Sequence, residues 1–177
     1  AERYLNTEFV EASRLEDRLE ESVTEMGGGT IGVACDVTDG EQVTAAFERI
    51  DEEFGGLDVL LNSAGVCIWG DAEEMPEEDW DTVLGVNLKG TFLTCQAAGK
   101  RMIRQGSGSI INIASMSGSI VNRPQHQVGY NSSKAGVIHL TRSMAAEWAP
   151  HNVRVNSISP GYTLSELTRQ FPEHFDG

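Results

Sequence analysis

Four stretches of the chain are short and largely apolar: "TIGVACDV" (30–37), "LDVLLNSAG" (57–65), "SIINIAS" (109–115) and "VRVNSISPG" (153–161). Runs of this length, bounded by turn residues, predict strands. Their near-continuous apolar character predicts a parallel sheet covered on both faces. Between them the apolar spacing becomes helical. In "DGEQVTAAFERIDEEFGG" (39–56), Val43, Ala46, Phe47 and Ile50 form one stripe; Asp39 can cap its start, and Gly55 and Gly56 can end it. Residues 75–108 predict one or two helices, with Pro76 near the first turn. Tyr130 to Trp148 predicts another. Charged helical periodicity also runs from about Thr7 to Met26, where "GGG" stops it.

Strand and helix thus alternate several times, which predicts an α/β fold: an open, doubly wound parallel sheet in a single domain over residues 1–177. Ligands of such sheets bind outside the carboxyl ends of the strands. Those ends are Asp36, Asn62 to Gly65, Ser115, and Pro160 to Gly161. Residues 27–32, "GGGTIG", match the spacing of a dinucleotide-binding turn, but a helix precedes them and a strand follows. A phosphate cradle needs the reverse order, so that amides and the helix dipole meet the anion. The glycines therefore read as a helix stop.

Composition narrows the partners. Of 177 residues, 40% are hydrophobic and 23% charged, ordinary values for a globular domain. A formal net charge of -14 opposes binding to nucleic acid or anionic membranes. The first residues, "AERYLNTEF", carry no basic and apolar leader pattern, so a cytoplasmic location is expected. Cys35, Cys67 and Cys95 read as small buried thiols. His126, His139, His151 and His174 have no metal-ligand spacing, so no metal is expected.

Chemistry concentrates around "GYNSSKAGVIHL" (129–140), which sets Tyr130 and Lys134 one helical turn apart on one face. Its "NSS" (131–133) also matches a glycosylation acceptor, but the helical setting favours the bare side chains. If the sheet is built as predicted, Ser115 at a strand end and Asn87 in the preceding helical region converge on that face. Carbonyl reduction needs a proton donor at the oxygen and a hydride donor at the carbon. A tyrosine hydroxyl can serve if a nearby cation brings its pKa toward working pH, and Lys134 can supply that charge. Ser115 can hold the substrate oxygen against the tyrosine.

"LNSAG", "VNLKG", "SIINIAS", "YNSSK" and "VRVNSISPG", in this order and at these intervals, resemble the short-chain dehydrogenase/reductase family. The match covers roughly residues 30 to 165. The resemblance implies a Rossmann-type fold and an NAD- or NADP-dependent oxidoreductase. By it, Tyr130 is the general acid/base and Lys134 lowers its pKa and binds the nicotinamide ribose. Ser115 orients the substrate, and Asn87 holds a water linking Lys134 to bulk proton exchange. Asp36 and Val37 would contact the adenine; Asn62, Ala64 and Gly65 would line the cofactor cleft. Pro160, Gly161, Thr163 and Ser165 would meet the nicotinamide side.

The family's first strand, glycine-rich turn and following helix have no counterpart in the sequence, nor does its last strand. "YLNTEF" (4–9) is expected to be the remnant of the second strand's end, with Tyr4 where a charged residue would choose between NAD and NADP. The domain thus reads as incomplete at both ends. A piece of a longer protein is the favoured explanation, because a sheet stripped of two strands would expose apolar edges. The expectation is an active full-length reductase and an inactive isolated segment.

The segment 115–137 further resembles the polyol and sugar branch, which implies a polyol/ketose pair as substrate. Asn122, Gln125, His126 and Gln127 in the loop between Ser115 and Tyr130 can bind hydroxyls, or simply be solvated. The competing readings are a 3-oxoacyl-thioester reductase and a non-catalytic Rossmann-type binding module. The intact Ser115, Tyr130, Lys134 and Asn87 oppose the module. A homo-oligomer, dimer or tetramer, is expected, with Trp80, Phe92, Met102, Met144 and Trp148 packing either between subunits or within one core.

Overall fold

The computed structural model describes residues 10–13, 16–26 and 29–163. Strands and helices alternate: β1 (Val10–Ser13), α1 (Glu16–Met26), β2 (Ile31–Ala34), α2 (Gly40–Phe54) and β3 (Val59–Asn62). There follow α3 (Glu77–Leu84), a π-helical turn (Gly85–Gly90), α4 (Thr91–Gln105), β4 (Gly108–Ile113), α5 (Val128–Trp148) and β5 (Val153–Ile158). Every strand pairing is parallel, with β1 against β2 and, separately, the order β3–β4–β5. The α/β doubly wound class holds, in an open form.

Local chemistry explains the elements. The Asp39 carboxylate accepts from the amides of Glu41 and Gln42 at 2.8 and 3.2 Å, which caps α2. Gly55, at φ 72°, takes the left-handed conformation that ends it, its N–H donating to Asp51 O. The stripe of Val43, Ala46, Phe47 and Ile50 is buried. It packs with Cys35, with Cys95, Ala98 and Met102 of α4, with Met144 of α5, and with Ile110, Val153 and Val155 of the larger sheet. One core therefore serves both sheets.

Several expectations need correction. The helical periodicity of 7–26 conceals a strand at Val10–Ser13, because these four residues pair in parallel with Ile31–Ala34; the helix begins only at Glu16. Tyr4 lies outside the described residues, and the strand end expected near it falls at Ser13. The expected one or two helices over 75–108 are two, with an unforeseen π turn joining them. The sheet is not covered on both sides throughout: Val59 and Leu61 of β3 are 56% and 58% exposed. Met102 and Met144 are core residues, and Trp148 lies against Gly99 of α4, where an added Cβ would come within 2.6 Å of its ring. These three pack within one subunit, while Trp80 and Phe92 are exposed.

Candidate active site

β4 stops at Ile113, two residues before Ser115. Ser115 continues in extended backbone (φ -166°, ψ 154°), and its Oγ accepts from Ser117 N at 3.1 Å, capping a short 3-10 turn over Met116–Gly118. That turn is fastened to the loop after β5 by Met116 N donating to Pro160 O at 3.0 Å. α5 lies directly on it: a Cβ at Gly118 would stand 2.7 Å from the main-chain carbonyl carbon of Lys134. This close approach sets the Ser115 hydroxyl beside the Tyr130 phenol, whose pKa it acts to lower.

One turn along α5, Lys134 Nζ lies 5.7 Å from the centroid of the Tyr130 ring. The lysine is only 4% exposed and donates to Ile113 O at 2.8 Å, at the end of β4. An ammonium carries three protons, so two remain beyond the one given to Ile113 O. Burial lowers the Lys134 pKa to about 8, with the neighbouring Cys67 opposing the shift.

Asn87 is buried on the π turn. Its Oδ1 accepts from Val66 N at 2.8 Å, and its Nδ2 donates to Val66 O at 2.9 Å and to Ser133 Oγ at 3.0 Å. The amide thus holds the backbone that follows Gly65. A Cβ built on Gly65 would lie 3.4 Å from Asn87 Oδ1 and 3.5 Å from Lys134 Nζ, so Asn87 and Lys134 converge on this glycine. Serine, tyrosine, lysine and asparagine come together as the sequence predicts.

The electrostatics differ from expectation. Lys134 was to make Tyr130 more acidic, yet the phenol is shifted upward: burial raises its pKa, the Ser115 hydroxyl opposes this, and Cys67 adds to the rise. Desolvation of the phenolate outweighs the nearby amine. Cys67, expected only to be a small buried thiol, also belongs to the site, and Gln127, expected to bind hydroxyls or be solvated, is engaged by protein groups instead. Cys67 Sγ accepts from Trp69 Nε1 at 3.2 Å and contacts Gln127 Oε1 at 3.6 Å, and burial pushes its thiol up to about 11. Gln127 Nε2 donates to Ser117 Oγ at 3.3 Å and to Asn131 Oδ1 at 3.0 Å. The position of Cys67 in the turn after β3, a strand end, was the available signal.

Asn62 braces the sheet. Its Nδ2 donates to Asn112 Oδ1 at 2.8 Å, and its Oδ1 accepts from Thr94 Oγ1 at 2.8 Å; Asn112 in turn donates to Thr141 of α5 at 3.0 Å. Ala64 and Gly65 are exposed after β3, as are Gly161 and Thr163 after β5, while Pro160 is half-buried. Asp36, beyond β2, accepts from Thr38 N and Oγ1 at 2.9 and 2.8 Å. Val37 packs on Gly90 of the π turn, where a Cβ would come within 2.7 Å of it. Ser165 lies outside the described residues.

The lysine's remaining protons and the exposed strand ends fit the nicotinamide-ribose half of a dinucleotide. Among the described residues, no glycine-rich turn leads from a strand into a helix; the "GGG" segment instead joins α1 to β2. Nor do those residues contain a cluster suited to a metal ion, or a helix long and apolar enough to cross a membrane.

A family model described as short chain dehydrogenase matches residues 5–175. The chain is 49% identical over 140 residues to D-threitol dehydrogenase of Mycolicibacterium smegmatis, covering 79% of this chain and 53% of that one. It is 42% identical over 162 residues to galactitol 2-dehydrogenase (L-tagatose-forming) of Cereibacter sphaeroides, covering 89% and 63%. It therefore spans about half the length of the first relative and under two thirds of the second. Among solved structures, a short-chain type dehydrogenase/reductase from Mycobacterium marinum superposes with a TM-score of 0.90 at 40% identity, over 94% of this chain and 67% of that one.

Proposed function

Because the chain belongs to the short-chain dehydrogenase family, we propose that the complete protein interconverts a polyol and a ketose with a nicotinamide dinucleotide. The observation that carries this reading is the triad at the carboxyl end of β4: Ser115 beside Tyr130, with Lys134 over the same ring. The polyol class rests on similarity to enzymes named for threitol and galactitol.

When bound, the nicotinamide supplies or takes the hydride at the substrate carbon. In reduction, Ser115 donates a hydrogen bond to the substrate oxygen, and Tyr130 transfers its phenolic proton there as the C–H bond forms. The raised pKa keeps the phenol protonated at neutral pH, as a donor requires. Lys134, when charged, offsets the phenolate left behind and binds the ribose. Asn87 fixes the turn at Gly65 and Val66 and holds the water through which the proton is replaced. In oxidation the proton steps run backwards. Asp36 and Val37 contact the adenine, Asn62, Ala64 and Gly65 line the cleft, and Pro160, Gly161 and Thr163 flank the nicotinamide.

Assembly into a dimer or tetramer belongs to the same reading and rests on Trp80 and Phe92, 37% and 38% exposed.

The test is a panel of alditols and ketoses with NADH and NADPH on the full-length polypeptide. Turnover of at least one pair is expected with one of the two cofactors. Tyr130→Phe should lower kcat by about 10²–10⁴-fold without unfolding the protein. Unchanged turnover in that variant would remove Tyr130 from the mechanism.

A further inference from the structure

The loop joining Ser115 to Tyr130 buries three amides, Asn122, Gln125 and Gln127, each 7% exposed. Side chains so deep are not solvated loop polarity. Gln127 is engaged at both ends, by Cys67 on one side and by Ser117 and Asn131 on the other. Asn122 is engaged at only one. Its Nδ2 donates to the Tyr162 hydroxyl at 3.1 Å, and that hydroxyl donates to Gln125 Oε1 at 3.3 Å. Among the described residues, Asn122 Oδ1 is the buried side-chain polar atom to which no protein group donates.

Buried polar atoms nearly always have partners, since an unpaired one keeps its full desolvation cost. The tyrosine fixes which end of Asn122 is the orphan. Its one proton goes to Gln125, so its oxygen accepts from Asn122 Nδ2 and leaves Oδ1 pointing elsewhere. Were both amides reversed, the orphan would be the NH₂ group. A hydroxyl donates and accepts, and so satisfies either arrangement; a methylene satisfies neither. The location fits a substrate contact. Asn122 lies between Ser115 and Tyr130 in sequence, and Tyr162 directly follows Pro160 and Gly161 on the loop tied to Met116. The two loops flanking the strand ends meet at this hydrogen bond.

We propose that Asn122, held by Tyr162 and Gln125, reads a second hydroxyl of the substrate, distinct from the carbinol oxidised at Ser115 and Tyr130. The proposal rests on the oxidoreductase reading above and identifies what makes that site select a polyol over a simple alcohol. A substrate lacking the second hydroxyl leaves the buried amide unpaired.

The test compares kcat/KM for D-threitol and for 2-butanol, four-carbon substrates with the same reacting carbinol position, using full-length protein. Asn122→Ala should lower the value for threitol by about 10- to 100-fold and that for butanol by less than about threefold. Tyr162→Phe keeps the ring at a 57% exposed position and so spares folding. It should weaken the same preference, to a smaller degree, and it decides the matter if Asn122→Ala is insoluble. Equal losses for both substrates would overturn the subsite while leaving the oxidoreductase reading intact, since Asn122 would then hold only a water or the loop. Absence of turnover with every alditol and ketose of the panel in the parent protein would overturn both.

Discussion

Lys134 is a cation with almost no solvent around it; Ile113 O holds one of its protons, and Cys67 is the neighbour that favours its charge. Its pKa falls from 10.5 to about 8, and the sign of the consequence follows. Below about 8 both folded and unfolded chains carry the proton, and the folded state bears the cost of burying it. Between about 8 and 10.5 the folded amine is neutral while the unfolded one still binds a proton, so this cost is relieved as pH rises. Relative to Lys134→Met, which has no proton to lose, the parent should gain roughly 2–3 kcal/mol of stability between pH 7 and pH 10.5, measured by urea unfolding. Activity should move the other way: kcat/KM for ketone reduction falls as pH rises through about 8, because the charge that offsets the phenolate disappears. Residue identities at this scale were legible from spacing, since Tyr130 and Lys134 four apart and a strand-end Ser115 need only regular helix and strand geometry. The upward shift of Tyr130 was not legible, because burial is a property of the assembled cleft. The partners of Cys67 and Gln127 and the Asn122–Tyr162 contact were hidden for the same reason, since each depends on how separate segments meet.

Among the elements, the helices with clear punctuation were readable and those without it were not. Asp39 and Gly55 mark the ends of α2 to within a residue. β1 carried no such marks: Val10–Ser13 is too short to outweigh the charged periodicity around it, and only pairing with β2 makes it a strand. The π turn at Gly85–Gly90 was equally hidden, because one extra residue per turn leaves no spacing signature over six residues. Yet that turn carries Asn87, whose amide occupies both main-chain groups of Val66. Asn87→Leu keeps the volume and removes the partners, leaving a backbone donor and acceptor unpaired. Stability should fall by about 2–4 kcal/mol, read from the urea midpoint, and turnover should fall with it as the segment after β3 loosens. Asn87→Asp, which can still accept from Val66 N, should retain more of both.

For the molecule as a whole, strand–helix alternation was enough to predict a parallel α/β sheet, and the pairings bear it out. What alternation could not convey is that the sheet divides between β2 and β3 while a shared core of α2, α4 and the larger sheet spans both parts. The division also explains why apolar runs did not guarantee coverage, with Val59 and Leu61 half open. Apolar helix faces were likewise ambiguous, and packing resolved Met102, Met144 and Trp148 into the interior. The two halves of the chemistry, the turn after β4 and the start of α5, touch at Gly118. Gly118→Ala should therefore lower kcat by about 10- to 100-fold, because displacements near 1 Å are costly to reaction geometry, and should also lower stability by about 1–3 kcal/mol, because the added carbon meets backbone rather than a flexible side chain. Gly118 works as a spacer of zero thickness: the gap between the reacting hydroxyls is set by a hydrogen atom standing where any other amino acid would bring carbon. Mutational pressure on turnover would consequently register at a position that has no side chain of its own.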